Sequence, residues 1–414
     1  MEWRTGAVVA IFALTYLLIT ARRLRWLPIG RPAGALFGAV LVVAVGGLTP
    51  HQAYARVDHD TLVLLFGMML ITAHLERAGF FAWSGELLLR GSGGSPLALL
   101  VGLSLLAGAL SAFLVNDTVC LFVTPIVVAA CKRGGLPMGP FLMALATSAN
   151  LGSVATPVGN PQNMIIGSKC GLSFARFVAL AGPVTLLCLG LNLLLLWAWY
   201  GRALPARAEP LEGATPLDRT RLRWVGVVCL GVIGAMFLGC DKGWTALGGG
   251  MTLLIALRDE PQEIFARVDW PLLVFFSALF IVVGALDATG LVARAFDAVA
   301  PSMHLGSAGG TAVYTASMLV GSNVVSNVPL VVLAGPYMDR FGDPTLAWIL
   351  LAFVTTVAGN LTLIGSVANI IVAERAQADY ALGFWEYLRF GVPSTLLVLA
   401  VGVPFLCWWV RLVG

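Results

Sequence analysis

The sequence predicts an all-α polytopic membrane protein built from two inverted repeats, each with about five transmembrane helices, a re-entrant hairpin and a broken helix. Composition, apolar windows and an internal repeat lead to this prediction. The 414 residues are 59% hydrophobic and 11% charged, whereas soluble domains carry roughly 25% charged residues. Windows at 5–21, 31–49, 174–200 and 222–239 approach or exceed the roughly 20 residues that cross a bilayer as a helix.

The motifs also exclude several classes of function. The chain contains no Walker A pattern, no zincin motif and no CxxC, so we expect no ATP-driven transport by this chain alone, no enzymatic activity, no resident metal and no cofactor. No basic blocks with interleaved aromatic residues occur, so no nucleic-acid partner is expected. The expected partners are the lipid bilayer and a small-molecule or inorganic anion.

An internal repeat organises the chain. ARVD occurs at 55–58 and again at 266–269, an offset of 211 residues (266 minus 55). At this offset Asn116 lies over Asn327. Such self-similarity indicates two related halves, which we place at 1–205 and 218–414. A polar segment rich in Pro, Arg and Glu joins them at 206–217 and is expected to be a cytoplasmic linker.

Each half has the same predicted order of elements. In the first half, three spans at about 5–21, 33–49 and 60–75 precede a hairpin, a broken helix and a last span at 174–200. The hairpins are predicted at 95–131 and 305–338, and the broken helices at 138–167 and 345–374.

The second arm of the first hairpin, from Thr118 to Cys131, is short for a membrane span. The hairpin is therefore interpreted as re-entrant, with Asn116 and Asp117 at its tip. The alternative is two ordinary spans with the Asn–Asp pair in a surface turn.

The hairpins return the chain to the side that it left, so each half crosses five times and the second half is inverted. Most Lys and Arg residues then fall on the side that holds Arg77, Arg90 and Arg258, which predicts that this side is cytoplasmic and that both termini are outside. We expect the bacterial inner membrane as the location.

Four polar interruptions occur in matched pairs: VNDT (115–118) with SNVP (326–329), and ATPVGNPQN (155–163) with LIGSVAN (363–369). Paired breaks in two halves of a membrane protein indicate a transport site, since they free carbonyls for a cation and helix N-termini for an anion. The alternative is that they are packing kinks. Gly159 and Gly365 are expected to supply unusual backbone angles, and Asn150 and Asn360 to cap half-helices.

Asp117 is the one carboxylate flanked on both sides by long apolar runs. A carboxylate at membrane depth is costly and by default functional. Its counterpart in the second half is Val328. The predicted role of Asp117 is proton carrier or cation ligand, and the alternative is a carboxylate that is only hydrogen-bonded at the tip.

At these residues the sequence is similar to the citrate-transporter-like ion transporter superfamily. The motifs that carry the resemblance are VNDT followed by TPIV, SANLGSVATPVGNPQN, and GNLTLIGSVANIIVAE. The superfamily includes arsenite efflux permeases, divalent-anion/sodium symporters and sodium/proton antiporters. The resemblance implies hairpins that open from opposite sides, a substrate site between the tips and the broken helices, and, for some members, elevator motion against a dimeric scaffold. A homodimer is therefore one expectation.

Pattern and resemblance together give the candidate residues. Substrate contacts are predicted from Asn116, Thr118, Thr156, Asn163, Ser326, Asn327, Ser366 and Asn369. Coupling-ion contacts are predicted from Asn116, Asp117, Gly159, Asn160, Asn327 and Gly365. Hinge positions are predicted at Pro157, Gly159, Pro161 and Gly365.

The predicted function is secondary active transport of a small anion or oxyacid, such as arsenite, coupled to protons or sodium by alternating access. Carboxylate symporters of the superfamily place Ser-Asn-Thr at both tips, whereas the first tip here places Asp117 after Asn116, which favours a proton-linked carrier. The alternatives are a sodium/proton antiporter, a sodium-coupled di- or tricarboxylate symporter, and an anion channel or membrane sensor on the same fold.

Overall fold

A computed structural model describes residues 2–20, 30–207 and 217–413, and within these ranges every regular element is a helix. Most of the predicted linker, 208–216, lies outside the described residues. The helices of the first half are α1 (Glu2–Thr20), α2 (Arg31–Ala44), α3 (Pro50–Arg56), α4 (His59–Arg77), α5 (Phe80–Gly91), α6 (Pro96–Phe113), α7 (Asn116–Arg133), α8 (Met138–Ser153), α9 (Pro161–Lys169) and α10 (Phe174–Tyr200).

The second half repeats this order, so that each helix has a counterpart ten helices later. Its helices are α11 (Arg219–Phe237), α12 (Lys242–Ala256), α13 (Pro261–Phe265), α14 (Trp270–Ala288), α15 (Leu291–Val299), α16 (Ala308–Val325), α17 (Asn327–Ala334), α18 (Pro344–Ala358), α19 (Val367–Ala376) and α20 (Phe384–Val413). Two short 3-10 helices, Ala300–Ser302 and Gly335–Arg340, follow α15 and α17.

Equivalent helices begin and end by the same local chemistry. Asp58 precedes α4 and Asp269 precedes α14, and each carboxylate accepts a hydrogen bond of 3.0 Å from an amide in the first turn of its helix. Gly79 follows the end of α4 with φ 78°, and Gly290 follows the end of α14 with φ 73°. Glycine adopts this left-handed conformation without a steric cost, so the sequence repeat produces a repeat of structure.

The two halves pack against each other in opposite directions. The most extensive helix packing between the halves is that of α4 against α12 and of α14 against α2. Arg56, before α4, pairs with Asp287 near the end of α14 at 3.1 Å. The equivalent residue Arg267, before α14, pairs with Glu76 near the end of α4. Each helix therefore starts beside the end of its counterpart, as in an inverted arrangement.

The helices account for an integral membrane protein. By length and composition, five described helices could each cross a bilayer, namely α6, α10, α11, α14 and α20. The pair α4 and α5, bent by 59° at Gly79, would add a sixth span. The remaining predicted crossings do not pass this single-helix test, because they are broken into two segments or are shorter apolar helices.

The centre of the molecule is formed by α8 and α18, which are almost completely buried. Helix α8 lies close to α6 because glycine faces glycine: a Cβ atom added to Gly152 would lie 2.1 Å from the carbonyl oxygen of Gly108. Small residues at such contacts allow membrane helices to approach closely. This close approach holds the first hairpin against the first broken helix.

A buried ion cluster joins the two halves at one end of α4. The Asp259 side chain, 2% exposed, lies 3.1 Å from His74 Nδ1 and 3.4 Å from Arg77, and accepts a hydrogen bond of 2.8 Å from Arg221. Burial alone raises the pKa of Asp259, but the Arg221 hydrogen bond and the charges of Arg221, Arg77 and His74 outweigh it and hold this pKa below its ordinary value. The carboxylate therefore stays charged and anchors α4 to α11.

Candidate functional site between the hairpin tips

The two hairpin tips are buried helix starts. Asn116 and Asp117 are the first residues of α7, after a break at Leu114 and Val115. Asn327 is the first residue of α17. The residues Asn116, Asp117 and Asn327 are only 3%, 5% and 7% exposed. The Asn–Asp pair is therefore not a surface turn.

The second tip contains a strained residue. Ser326, immediately before α17, has φ 68° and ψ 161°. Residues other than glycine rarely adopt such a backbone, which costs of order 1–3 kcal/mol and persists only where surrounding structure holds it. No such residue occurs at the first tip, where Val115 is extended with φ −63°.

The two broken helices restart beside the tips. Helix α9 begins at Pro161, and the Asn160 side chain caps it by accepting a hydrogen bond of 2.8 Å from the Asn163 amide. Proline suits a first helical position because the amide hydrogen that it lacks would have no partner in the helix. Helix α19 begins at Val367, directly after Ser366. Each break therefore ends in a new helix N-terminus.

Four helix starts converge on one cavity of about 30 Å³. Its polar walls come from the first residues of α7, α9, α17 and α19, and its apolar wall comes from α14. The lining residues are Asn116, Asp117, Pro161, Gln162, Phe275, Phe276, Leu279, Ser326, Asn327, Val328, Pro329, Ser366 and Val367. Because a helix N-terminus carries about half a positive charge, this arrangement suits an anionic or oxygen-rich solute.

Asn150 connects the first tip to the second broken helix. Its Oδ1 atom accepts hydrogen bonds from Asn116 Nδ2 at 2.9 Å and from Ser366 Oγ at 3.1 Å. Its Nδ2 group donates to Asn360 Oδ1 at 2.8 Å and to Asn369 Oδ1 at 2.9 Å. One buried amide thus holds side chains from both halves in register, behind the cavity wall.

The predicted capping role of Asn150 and Asn360 is wrong. Asn150 lies inside α8 rather than at its end. Asn360 lies after the end of α18, and its Nδ2 group donates to the Thr147 carbonyl oxygen at 3.1 Å. The amides are used across the interface between halves, where a buried polar group needs a partner.

The prediction that Gly159 and Gly365 supply left-handed backbone angles at the breaks is wrong. Neither Gly159 nor Gly365 has a positive φ. A Cβ atom on Gly159 would instead lie 2.3 Å from the Ser153 carbonyl oxygen and 2.8 Å from that of Ser111. The Gly159 carbonyl oxygen accepts a hydrogen bond of 2.9 Å from the Asn116 amide. Glycine is needed here for space, so that the first tip can lie against the break.

Two equivalent asparagines close the two breaks. Asn163 Nδ2 donates to the carbonyl oxygens of Ser153 at 3.0 Å and Thr156 at 3.1 Å. Asn369 Nδ2 donates to those of Gly359 at 2.7 Å and Thr362 at 3.2 Å. Both asparagines are fully buried. They satisfy carbonyls that the missing helical turn leaves unpaired.

The structure therefore divides the predicted site residues into two groups. Those that line the cavity are Asn116, Asp117, Pro161, Ser326, Asn327 and Ser366. Those that lie behind or beside it are Thr118, Thr156, Pro157, Gly159, Asn160, Asn163, Gly365 and Asn369. For instance, the Thr156 hydroxyl donates to the Ala112 carbonyl oxygen, and the Asn160 side chain donates to Ser153 Oγ at 2.7 Å. The second group does not border this cavity.

The sequence interpretation missed several lining residues. Phe275 and Phe276 form the apolar wall from α14, but nothing in their local sequence separates them from other aromatic residues in a span. Gln162 was also missed, although it lies within the ATPVGNPQN motif; its Nε2 group lies 3.3 Å from Thr356 Oγ1 of the other half.

This fold and site define a class: a polytopic membrane transporter with broken helices that meet at a central polar cavity. Residues 15–358 match the model of the citrate transporter family. The chain therefore belongs to the citrate transporter family and is a transporter rather than an enzyme. The resemblance drawn from the motifs is confirmed, and so is the all-helical polytopic fold.

The chain is similar to named transporters along almost its whole length. It is 34% identical to the silicon efflux transporter LSI3 of Oryza sativa subsp. japonica, covering 95% of this chain and 96% of that one. It is 30% identical to a Dictyostelium discoideum protein named as a transporter, arsB, covering 95% and 91%. Its fold is similar to that of the Alcanivorax borkumensis YdaH transporter, with a TM-score of 0.58, 14% identity, and coverage of 99% and 98%.

Proposed function

We propose that the protein is a secondary transporter of a small oxyacid, which binds between the four helix starts and moves together with, or in exchange for, protons carried by Asp117. The observation that carries this proposal is the convergence of α7, α9, α17 and α19 on one buried polar cavity. Four N-termini favour oxygen atoms with negative or partly negative charge.

The chemistry of the lining supports a neutral or weakly charged solute. Among the described lining residues none is Lys or Arg, and Asp117 carries the one ionisable carboxyl group. The other polar groups are amides and hydroxyls, from Asn116, Gln162, Asn327 and Ser366. Amides and hydroxyls both donate and accept hydrogen bonds, and this matches the hydroxyl groups of a neutral oxyacid better than several carboxylates.

The size of the cavity supports the same class. Its volume is about 30 Å³, while a cavity of roughly 10–15 Å³ holds one water molecule. A solute of a few heavy atoms needs only a small separation of the tips, whereas a tricarboxylate needs a large one. The silicon efflux transporter among the relatives agrees with this class, because dissolved silicon is orthosilicic acid, a small neutral oxyacid.

Asp117 provides the coupling in this proposal. It lines the cavity beside Asn116 at the start of α7. Protonation changes the carboxyl group from an acceptor to a donor. Proton binding and solute binding therefore act on the same few hydrogen bonds, and alternating access would carry both across the membrane.

The test is proton movement in proteoliposomes that contain the purified protein and an internal pH dye. Orthosilicic acid, arsenous acid, sulfate, citrate and sodium chloride are added in separate experiments. We expect saturable proton movement with the two neutral oxyacids only, and oxyacid counterflow in preloaded vesicles.

Each other outcome contradicts one part of the proposal. Proton movement with citrate would overturn the size argument, and with sodium alone it would indicate an antiporter. Oxyacid flux that continues after a disulfide has locked the hairpin tips together would indicate a channel.

A further inference from the structure

Asp117 borders a second cavity and is the one described residue that lines both this cavity and the one between the tips. This cavity, of about 20 Å³, lies between α4, α7, α19 and the turn before α14. Its polar lining residues are Asp117, Thr118, Arg267 and Asp269. Asp117 therefore separates the solute cavity from a smaller polar space.

The second cavity has the size and the polarity of a water site. About 10–15 Å³ suffices for one water molecule, which also needs two to four polar partners. The Asp117 carboxyl, the Thr118 hydroxyl, the Asp269 carboxylate and the Arg267 guanidinium all border the space. A single water molecule here would be within reach of both carboxyl groups.

The outer wall of this cavity reaches solvent. The Arg267 side chain is 39% exposed and pairs with Glu76, whose side chain is 30% exposed. Asp269 is partly buried, and Asp117 is 5% exposed. The polar groups thus form a series from the surface to the buried carboxyl group.

We infer that this cavity is the proton-access site of the transporter: Asp117 exchanges its proton with the aqueous phase on the Arg267 side, through a water molecule held by Thr118 and Asp269. The inference rests on the proposed function. In the release step the Asp117 carboxyl gives its proton to the water, and a proton of that water passes to the Asp269 carboxylate or to bulk water. Only O–H bonds form and break, and the total charge is conserved.

The groups around Asp117 support a proton route through the second cavity. The charged groups that act on it are Asp269, at the turn before α14, and Arg31 at the start of α2, and Arg267 borders the second cavity beside Asp269. The helices α9, α17 and α19 present uncharged groups to it, including Gln162, Asn327 and Ser366, and its own helix adds the Cys120 thiol.

The inverted repeat makes this route one-sided. The counterparts of Arg267 and Asp269 are Arg56 and Asp58, but the counterpart of Asp117 is Val328. The equivalent place on the other side therefore has the outer residues Arg56 and Asp58 of the first half, but no carboxyl group at the second tip to exchange a proton with them. Proton access in the described conformation is expected from the Arg267 side alone.

The repeat also supplies a matched control. Asp269→Asn and Asp58→Asn remove one carboxylate each, and asparagine caps a helix as well as aspartate does, so both helix starts are retained. The measurement is the rate of proton release or uptake after a rapid addition of orthosilicic acid to proteoliposomes, followed with a pH dye. We expect Asp269→Asn to slow the rate about tenfold or more, and Asp58→Asn to leave it near the wild-type value. Equilibrium binding of orthosilicic acid stays unchanged in both.

A second pair of variants tests the water itself. Thr118→Val removes the hydroxyl and is expected to slow proton release, while Thr118→Ser keeps the hydroxyl and the rate. Equal proton rates for Asp269→Asn and Asp58→Asn, or for Thr118→Val and Thr118→Ser, would overturn the access route. If Asp117→Asn abolishes proton movement in the same preparation, the proposed function still stands; if it does not, the proposed function fails first.

Discussion

The two hairpin tips are equivalent in position but unequal in chemistry. Each begins a helix with a buried asparagine, Asn116 at the first tip and Asn327 at the second. The next residue is Asp117 at the first tip and Val328 at the second. In the proposed function the shared asparagines have a task common to both halves, which is to present an amide to the solute. The carboxyl group occurs once, and the task proposed for it, coupling, needs no symmetry.

The tips also differ in what holds them. Asn116 bonds to Asn150, which in turn bonds to two asparagines of the other half. Asn327 instead accepts a hydrogen bond of 2.6 Å from Ser322 of its own hairpin. The first tip is therefore tied to both halves, while the second is tied mainly to itself and contains the strained Ser326.

The largest effect is expected from removing the link that distinguishes the first tip. Asn150→Ala leaves the amides of Asn116, Asn360 and Asn369 without this partner, at about 1–3 kcal/mol for each unsatisfied buried group. Transport of the oxyacid should fall roughly 100-fold, since about 1.4 kcal/mol corresponds to a factor of ten. The measurement is initial uptake in proteoliposomes.

The matched control for this variant is Asn192→Ala. Asn192 is also fully buried, and its partners are Thr147, Ser148 and Ser394 of neighbouring helices, none of which belongs to a tip. We expect Asn192→Ala to lower thermal stability in detergent but to retain most of the transport. Equal transport losses in both variants would show that the Asn150 network is only structural.

The next largest effect is expected on thermal stability, from the same substitution at the glycine of each break. Gly159→Ala places a methyl group 2.3 Å from the Ser153 carbonyl oxygen, whereas Gly365→Ala places one 3.1 Å from that of Gly359. Overpacking of this kind typically costs about 1–3 kcal/mol, so Gly159→Ala should lower the unfolding temperature clearly and Gly365→Ala only slightly. A thermal unfolding series in detergent checks this, and the reverse order would contradict the assignment of Gly159 to close packing.

A smaller effect concerns mobility. Because the second tip contains the strained Ser326 and, among the described residues, makes no hydrogen bond to the other half, the backbone amides of 327, 328 and 330 should exchange hydrogen faster than those of 116–119 at the first tip. We expect a difference of about tenfold, equivalent to 1.4 kcal/mol of local opening free energy. Hydrogen exchange followed by mass spectrometry on peptides from both tips measures it. Equal protection of both tips against hydrogen exchange would contradict the expected difference in mobility.

The smallest effect is expected on stability, from breaking either of the two equivalent ion pairs between the halves. Arg56→Gln and Arg267→Gln each break one ion pair between halves, and the side chains involved are 40% and 39% exposed. Exposed pairs contribute about 0–1 kcal/mol, so both variants should unfold within about 1 kcal/mol of the wild type. Denaturant or thermal unfolding checks this, and a large loss in one variant alone would show that the two ends of the interface are unequal in stability.

The sequence predicted those site residues that occur at equivalent positions in both halves. Asn116 with Asn327, and Asn163 with Asn369, could be found because each lies in a break that has a counterpart in the other half. Asp117 could be found because a carboxylate is conspicuous within an apolar run.

Other features depend on contacts between distant residues and left no local signal. The Asn150 side chain donates to Asn360, which is 210 residues away in the sequence. Because no local pattern indicates this contact, the sequence suggested that Asn150 caps a helix. The space constraint on Gly159 arises from the carbonyl oxygens of Ser153 and of Ser111, which lies in α6. Neither contact can be inferred from the local sequence, which suggested unusual backbone angles instead. The cavity that joins Thr118 to Asp269 likewise exists only in the packed molecule.

In the proposed function the carboxyl group of Asp117, and not the shared asparagine pattern, couples protons to the solute. This coupling role decides between the alternatives. It is tested most directly by the proton-to-oxyacid stoichiometry of proteoliposomes containing wild type, Asp117→Asn or Val328→Asn. We expect Asp117→Asn to abolish net proton movement while oxyacid counterflow persists, and Val328→Asn to keep the wild-type stoichiometry. An unchanged stoichiometry in Asp117→Asn would contradict it and would transfer the coupling to another group.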